Sequence, residues 1–295
     1  MSGPLQLTLG LDLRPQTTGA IQYALWLCKA ANLQPSGHVQ AVHVVEPAAI
    51  VELIRHADEP TILGAFKRRG KEICDEVARG AHLHAPEVFG GDVVEILEDR
   101  ARDHGATALI VSRRASTKAG VAFPRLGSVA RRLLRRLKLP ILIVPPDLLP
   151  STVGEGPVVV AVDFSESSER ALAWARTIAD TIGRKLRLVH VADMPDQLGY
   201  AGLLQSERWE QLANEIVDRG RERMAEFIKD QGLVDVESTV VRGSVLPMLA
   251  DFAQTSKACL VVTGSGHHGL LHRVIVPSVA SETAAMSTVA VAVVP

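Results

Sequence analysis

VVVAVDFSESSERALAWA, residues 158–175, joins a continuously apolar run to an amphipathic one through a short polar turn. The apolar run, Pro157–Asp163, is rich in Val and shows no polar alternation, the pattern of a strand covered on both faces. Ser165 follows as a candidate helix N-cap. Beyond it Ala171, Leu172, Ala175 and Ile178 fall at helical spacing. Downstream the alternation continues. LRLVHVA (186–192) reads as a strand, and Gln205 to about Lys229 as a long helix with apolar Trp209, Leu212, Ile216, Met224 and Phe227. VESTVV (236–241) is a strand, Val245 to Gln254 a helix and ACLVVT (258–263) a strand. A glycine-bearing loop, a helix from Ser278 and a last strand at 289–294 complete the series. Strands alternating with helices imply right-handed parallel crossovers and a sheet with helices on both faces.

Working upstream, the same order appears a second time. LGLD (9–12) matches VAVD (160–163), placing Asp12 and Asp163 at an offset of 151. VHV recurs at 42–44 and 189–191, ALIV (108–111) matches CLVV (259–262), LGSVA (126–130) matches VPSVA (276–280), and LPILIVP (139–145) matches VAVAVVP (289–295). A repeat of domain size is a tandem duplication and not a solenoid. The expected architecture is therefore two five-stranded doubly wound α/β domains with parallel sheets, at 1–147 and 157–295. The Pro- and Gly-rich stretch 148–156 is the expected linker. The chain length of 295 agrees with two domains at about 150 residues each.

Composition narrows the function classes. Hydrophobic residues are 47% and charged residues 22%, with a net charge of −1, which argues against a generally basic nucleic-acid binder. No apolar run approaches the roughly 18 residues of a spanning helix. The start, MSGPLQLTLGLDLR, has no charged region followed by an apolar stretch and a cleavage site, so a secretory signal is not expected. Cys28, Cys74 and Cys259 are too few and too far apart for a disulfide framework or a zinc pattern, and read as small buried residues. A reducing, cytoplasmic setting is expected.

Doubly wound sheets place ligands beyond the carboxyl ends of their strands, where strand order reverses. That points to the loops after the first and fourth strands. After the first strand of the second copy comes Asp163-Phe164-Ser165-Glu166. Asp163 there either accepts bonds from a ribose or adenine or holds the loop by bonding backbone N–H groups. After the fourth strand comes Thr263-Gly264-Ser265-Gly266-His267-His268-Gly269. Glycines there let backbone N–H groups approach a phosphate, and the helix from Ser278 adds its dipole and a hydroxyl.

The segments 158–175, LVHV (188–191) and 260–295, with the V-D-x-S-x-x-S-x-x-A-L spacing, resemble the universal stress protein family in its tandem, Rossmann-like form. The resemblance covers nearly the whole chain. It implies ATP held by Gly, two residues, Gly, nine residues, Gly, then Ser or Thr. Gly264 to Ser278 has the family spacing of 14, but His267 and Pro277 stand at the second and third glycine positions. Gly266 and Gly269 flank the former, whereas Pro277 removes an N–H. By the resemblance, Asp163 meets ribose and the backbone of Val191 meets adenine. Ser165, Gly264, Gly266, Gly269, Ser278 and Val279 complete the nucleotide-binding set, and Mg²⁺ arrives with the nucleotide. In the first copy the corresponding candidates are Asp12, Val44, Gly127 and Ser128. There Arg14 stands where Ser is expected, the loop from Ser112 has no glycine before Gly120, and the loop is one residue longer counted from Val111 and Val262.

Other clusters read more plainly. His267, His268 and His272 are close, but no Cys or carboxylate nearby completes a zinc set, so solvent or phosphate roles are expected. His43 and His190 lie at matching places in apolar strands and are expected to make structural hydrogen bonds. Segment 113–138 carries nine positive residues and no acidic ones. Arg131, Arg132, Arg135 and Arg136 form the expected solvated face of an amphipathic helix, opposite Val129, Leu133, Leu134 and Leu137. An anion or nucleic-acid contact is the other reading. The second copy has Ser281, Glu282, Ala285 and Met286 in their place, so the fold does not require the charge. No nucleophile–base pair emerges, so at most slow ATP hydrolysis is expected. Two functions follow: a regulatory stress-response protein binding adenine nucleotide in its second copy, or a scaffold for protein partners without nucleotide. A homodimer stands open. The last strands, which would be exposed edges if unpaired, are expected to meet within the chain as a pseudo-two-fold pair.

Overall fold

The computed structural model describes residues 5–14, 18–113, 126–193, 206–266 and 279–295. Among these, the first half runs β1 (Leu7–Leu11), α1 (Thr18–Ala30), α2 (Pro35–His38), β2 (Val39–Val45), α3 (Pro47–Leu53), α4 (Glu59–Ala78), β3 (Glu87–Gly90), α5 (Val93–Asp103), β4 (Ala108–Ser112), α6 (Ser128–Arg136) and β5 (Ile141–Val144). The second runs β6 (Val158–Ala161), α7 (Glu166–Thr181), β7 (Leu186–Ala192), α8 (Ser206–Asp230), β8 (Glu237–Arg242), α9 (Val245–Thr255), β9 (Leu260–Gly264), α10 (Val279–Met286) and β10 (Val291–Val294). The expected strands and helices are present, with ends moved by one to three residues.

All ten strands form one sheet in the order β3-β2-β1-β4-β5-β10-β9-β6-β7-β8. Pairing is parallel within each half and antiparallel between β5 and β10, where Val291 faces Ile143 and Val293 faces Ile141. The last strands thus meet as expected, and each covers the edge the other would expose. Strand order reverses between β1 and β4 and again between β6 and β9. The strands are apolar throughout because helices cover both faces. Leu9, Ile110, Leu142, Val160 and Leu188 pack with α1 and α7 on one side. Leu109, Ile141, Val159 and Val261 pack with Leu133 of α6 and Leu249 of α9 on the other. Both layers run through the two halves, and each fully buried Leu or Ile contributes about 1.5–3 kcal/mol.

The halves grip each other with pseudo-symmetric hydrogen bonds. Tyr23 Oη of α1 donates to the carbonyl of Cys259 at 3.0 Å, and Trp174 Nε1 of α7 donates to the carbonyl of Thr107 at 3.3 Å. The connector also packs down. Leu148 and Val153 are buried, and Gly156 N–H donates to the Lys257 carbonyl at 2.9 Å. A Cβ at Gly154 would sit 1.9 Å from that same oxygen, so only glycine allows the approach.

One register differs from the sequence comparison. Leu7 pairs with Ala108, and Val158 pairs with Leu260. Ala108 therefore corresponds to Leu260, an offset of 152 in place of the 151 that aligned ALIV with CLVV. A continuously apolar strand carries no phase, so its sequence alone cannot report a one-residue slip, although such a slip exchanges the two faces. The three cysteines are buried as expected, and burial pushes each thiol up to about 11. No helix among the described residues is long and apolar enough to cross a membrane.

Candidate functional site

Asp163 follows β6 at the second strand-order reversal and is exposed. Its Oδ1 accepts from Ser165 N–H at 3.0 Å, Ser165 Oγ at 2.5 Å and Ser168 Oγ at 2.5 Å. Asp163 N–H in turn donates to Ser168 Oγ at 3.0 Å. Ser165 is the N-cap of α7, accepting from Ser168 N–H at 3.4 Å, as the sequence suggested. Asp163 thus holds its own loop, and Ser168, which the sequence reading did not single out, shares that work. The S-x-x-S spacing of Ser165 and Ser168 was the available signal.

Between them Phe164 has φ +65°, a conformation that L residues adopt at a cost of about 1 kcal/mol. Its ring packs 4.4 Å from His190 and 6.0 Å from Phe227, and the Arg223 guanidinium lies 4.4 Å from its centroid. These contacts offset the strain. The first half repeats the turn with Arg14 in place of Ser165. Leu13 has φ +42°, and Asp12 Oδ1 accepts from Arg14 N–H at 2.9 Å.

His43 and His190 carry the expected structural bonds. Each Nδ1–H donates to a strand-end carbonyl, His43 to Leu11 at 2.8 Å and His190 to Val162 at 2.7 Å. Burial lowers the pKa of both rings, against the opposing pull of these bonds. Beside them, Val191 is half-buried and pairs with Val241, while Val44 is buried and pairs with Phe89.

Gly264 ends β9 and is buried. A Cβ there would lie 2.6 Å from the carbonyl carbon and oxygen of Ser167 and 2.8 Å from Ser167 Oγ. The missing side chain lets the first turn of α7 close against the end of β9, and so brings the Asp163 loop and the glycine loop together. Gly266 has φ +58°, and no described residue comes within 4 Å of where a Cβ would stand. Val279, exposed, opens α10. Gly269, Ser278, Pro277, His267, His268 and His272 lie outside the described residues. Among the described residues no group of three His, Cys, Asp or Glu side chains could hold a metal ion.

Ser112 is equivalent to Gly264 and Arg113 to Ser265, since Ser112 pairs with Val144 and Gly264 with Val294, and Arg113 N–H donates to Val144 as Ser265 N–H does to Val294. From there to Ser128 the loop is two residues longer than its counterpart to Ser278, correcting the single insertion counted from Val111. The Arg113 side chain leaves its own half. Its Nη1 donates to the carbonyls of Ala285 at 2.5 Å and Ser287 at 3.0 Å. The sequence reading gave it no role of its own. Gly127 caps α6 in extended backbone (φ −61°, ψ 163°), with Ser128 exposed as the first helical residue.

The basic helix α6 is largely ion-paired to α5 and its flank. Arg132 meets Asp92 at 2.9 Å and Glu46 at 3.5 Å. Arg136 lies 3.3 Å and Lys138 2.9 Å from the carboxylate of Glu98, which is buried. Arg131 and Arg135 stay exposed. The expected solvated face of four arginines is present, with Arg132 half-buried and the others exposed, and two of them also pair with carboxylates because α5 presents an acidic side where α9 presents an apolar one.

Comparison with known proteins agrees with this geometry. The model of the universal stress protein family matches residues 6–145 and again 156–295. Universal stress proteins of Mycobacterium tuberculosis H37Rv and Mycobacterium bovis are 28% identical over 184 residues, 62% of this chain. The matched region spans 56% of those relatives' length, so this chain covers about half of each. A universal stress protein from Archaeoglobus fulgidus superposes with a TM-score of 0.61 at 21% identity, covering 98% of this chain and 97% of that one. A Pseudomonas aeruginosa PAO1 protein of unknown function superposes at 0.62 and 16% identity, covering 98% and 92%.

Proposed function

The chain belongs to the universal stress protein family, with two copies of the domain in tandem, and on that premise we propose that it is a regulatory stress-response protein whose second half binds an adenine nucleotide. The observation that carries this reading is the approach of Gly264 to Ser167, which joins a preorganised, exposed Asp163 turn to a glycine loop at a strand-order reversal. In this reading Asp163 receives the ribose and the Val191 backbone the adenine. Gly264, Gly266 and Gly269 face the phosphates, with Ser278 and Val279 at the start of α10. Mg²⁺ would accompany the nucleotide and screen its phosphates. In this reading any hydrolysis is slow, because the Ser165 and Ser168 hydroxyls beside Asp163 are committed to holding the loop. The first half is the weaker candidate, because Ser112 and Arg113 replace the glycine-loop start and Arg113 turns away. The protein is placed in the cytoplasm by the same reading.

A second reading, a scaffold that acts through protein partners without nucleotide, draws on the same contacts. Gly264 is required for packing, and Asp163 already holds its loop. Calorimetric titration of the nucleotide-free full chain with ATP and Mg²⁺ separates the two. The expected result is one saturable site, weakened roughly tenfold by Asp163→Asn, which keeps an acceptor oxygen for Ser165 and Ser168 but loses the charge. No heat and no thermal stabilisation at millimolar ATP would leave the scaffold.

A further inference from the structure

Among the described residues, α10 is the one helix of the second half whose C-terminal end is held by the first half through a charged side chain. It has eight residues, about 12 Å, a length at which an isolated helix is marginal. Its last turn contains no basic residue, whereas the equivalent α6 ends in its own Arg135 and Arg136. A helix end leaves carbonyls unpaired and carries partial negative charge, which a cation offsets. Arg113, from β4's end and 172 and 174 residues distant in sequence, donates to the carbonyls of Ala285 and Ser287 at that end. Its own backbone is fixed by the bond to Val144, so the guanidinium acts from a rigid base. Burial lowers its pKa, and Asp147 counters that. In the other direction Ser265 stands at the equivalent place, and its side chain is too short for the same reach.

We propose that Arg113 is a positioning residue that supplies α10 with its missing C-terminal cation, so that the first half controls the helix whose N-terminus opens onto the second half's candidate ligand site. The consequence for nucleotide rests on the reading above; the consequence for α10 does not. The first copy's lost glycine loop then has a physical outcome. The strand end that would have led into a phosphate cradle instead carries a cation serving the other copy.

Hydrogen exchange on the full chain without ligand tests this. In Arg113→Ala, amides of 281–287 should exchange about tenfold faster, while those of β6, β7 and α7 keep their rates. Arg113→Lys, which retains the charge, should restore most of the protection, and Arg113→Gln should not. If Arg113→Ala does not fold, the contrast between Lys and Gln carries the test. Unchanged α10 exchange in both Ala and Gln variants, or acceleration spread evenly over all helices, would overturn the proposal. In parallel, ATP affinity should fall about three- to tenfold in Arg113→Gln at unchanged site number. Absence of ATP binding in the parent chain would refute the nucleotide reading and leave the exchange result standing by itself.

Discussion

Gly264→Ala tests whether this glycine is needed for packing in the absence of any ligand. The added Cβ would stand 2.6 Å from two backbone atoms of Ser167 and 2.8 Å from its Oγ. Ordinary heavy-atom contact begins near 3.5 Å, so the first turn of α7 must withdraw by roughly 0.9 Å. It cannot do so freely, because Ser165 and Ser168 tie it to Asp163. Overpacking of this kind costs about 1–3 kcal/mol, and a weakened N-cap adds about 1 kcal/mol. The expected loss is about 2–4 kcal/mol, or roughly 5–15 °C in Tm for a unit of this size. Gly266→Ala is the control. No described residue lies within 4 Å of its Cβ position, and its φ of +58° is strained, so about 1–2 kcal/mol is expected. Scanning calorimetry without nucleotide reads both. A Tm for Gly264→Ala within about 1 °C of the parent chain, or a larger loss at Gly266 than at Gly264, would refute the packing argument.

Two further outcomes follow from buried groups. Tyr23→Phe deletes a buried hydrogen bond between the halves and should cost about 1–2 kcal/mol in urea unfolding; a neutral result would mean the Cys259 carbonyl finds another donor. His43 and His190 have pKa values lowered by burial, so the unfolded chain takes up their protons first as pH falls below about 6.5. Stability should therefore decline from about pH 6.5 downward and level off below the lowered folded values. His190→Gln should flatten that slope in urea midpoints measured between pH 7.5 and 5, and an unchanged slope would count against the assignment.

The strands and helices were legible because each rests on a local pattern: Val158–Ala161 is apolar on both faces, Ser165 sits one residue before α7, and Pro and Gly punctuate 145–157. The structural part played by His43 and His190 was legible from their apolar neighbours. The site was legible only as a set of loops. Asp163 could be named, but not that its Oδ1 would take three internal donors. Gly264 could be named for phosphate, but not that Ser167 demands it. Arg132 and Arg136 could be placed on a polar face, but not against Asp92 and Glu98, since α5 and α6 are joined only in three dimensions.

From its sequence alone this chain is a duplicated α/β protein whose last strands need partners. That much follows from apolar periodicity and capping residues, which act over one or two turns of chain, and from a repeat that is read by comparing the sequence with itself. Tertiary structure decided the register of β4 and β9, because a strand buried on both faces has no phase to read. It also decided why Gly264 is glycine and where Arg113 reaches. Those depend on close approaches between segments separated by 97 and by more than 170 residues, and steric exclusion and charge-assisted bonding at that separation exist only once the sheet has set β9 beside β6 within the second half and β10 beside β5 between the halves.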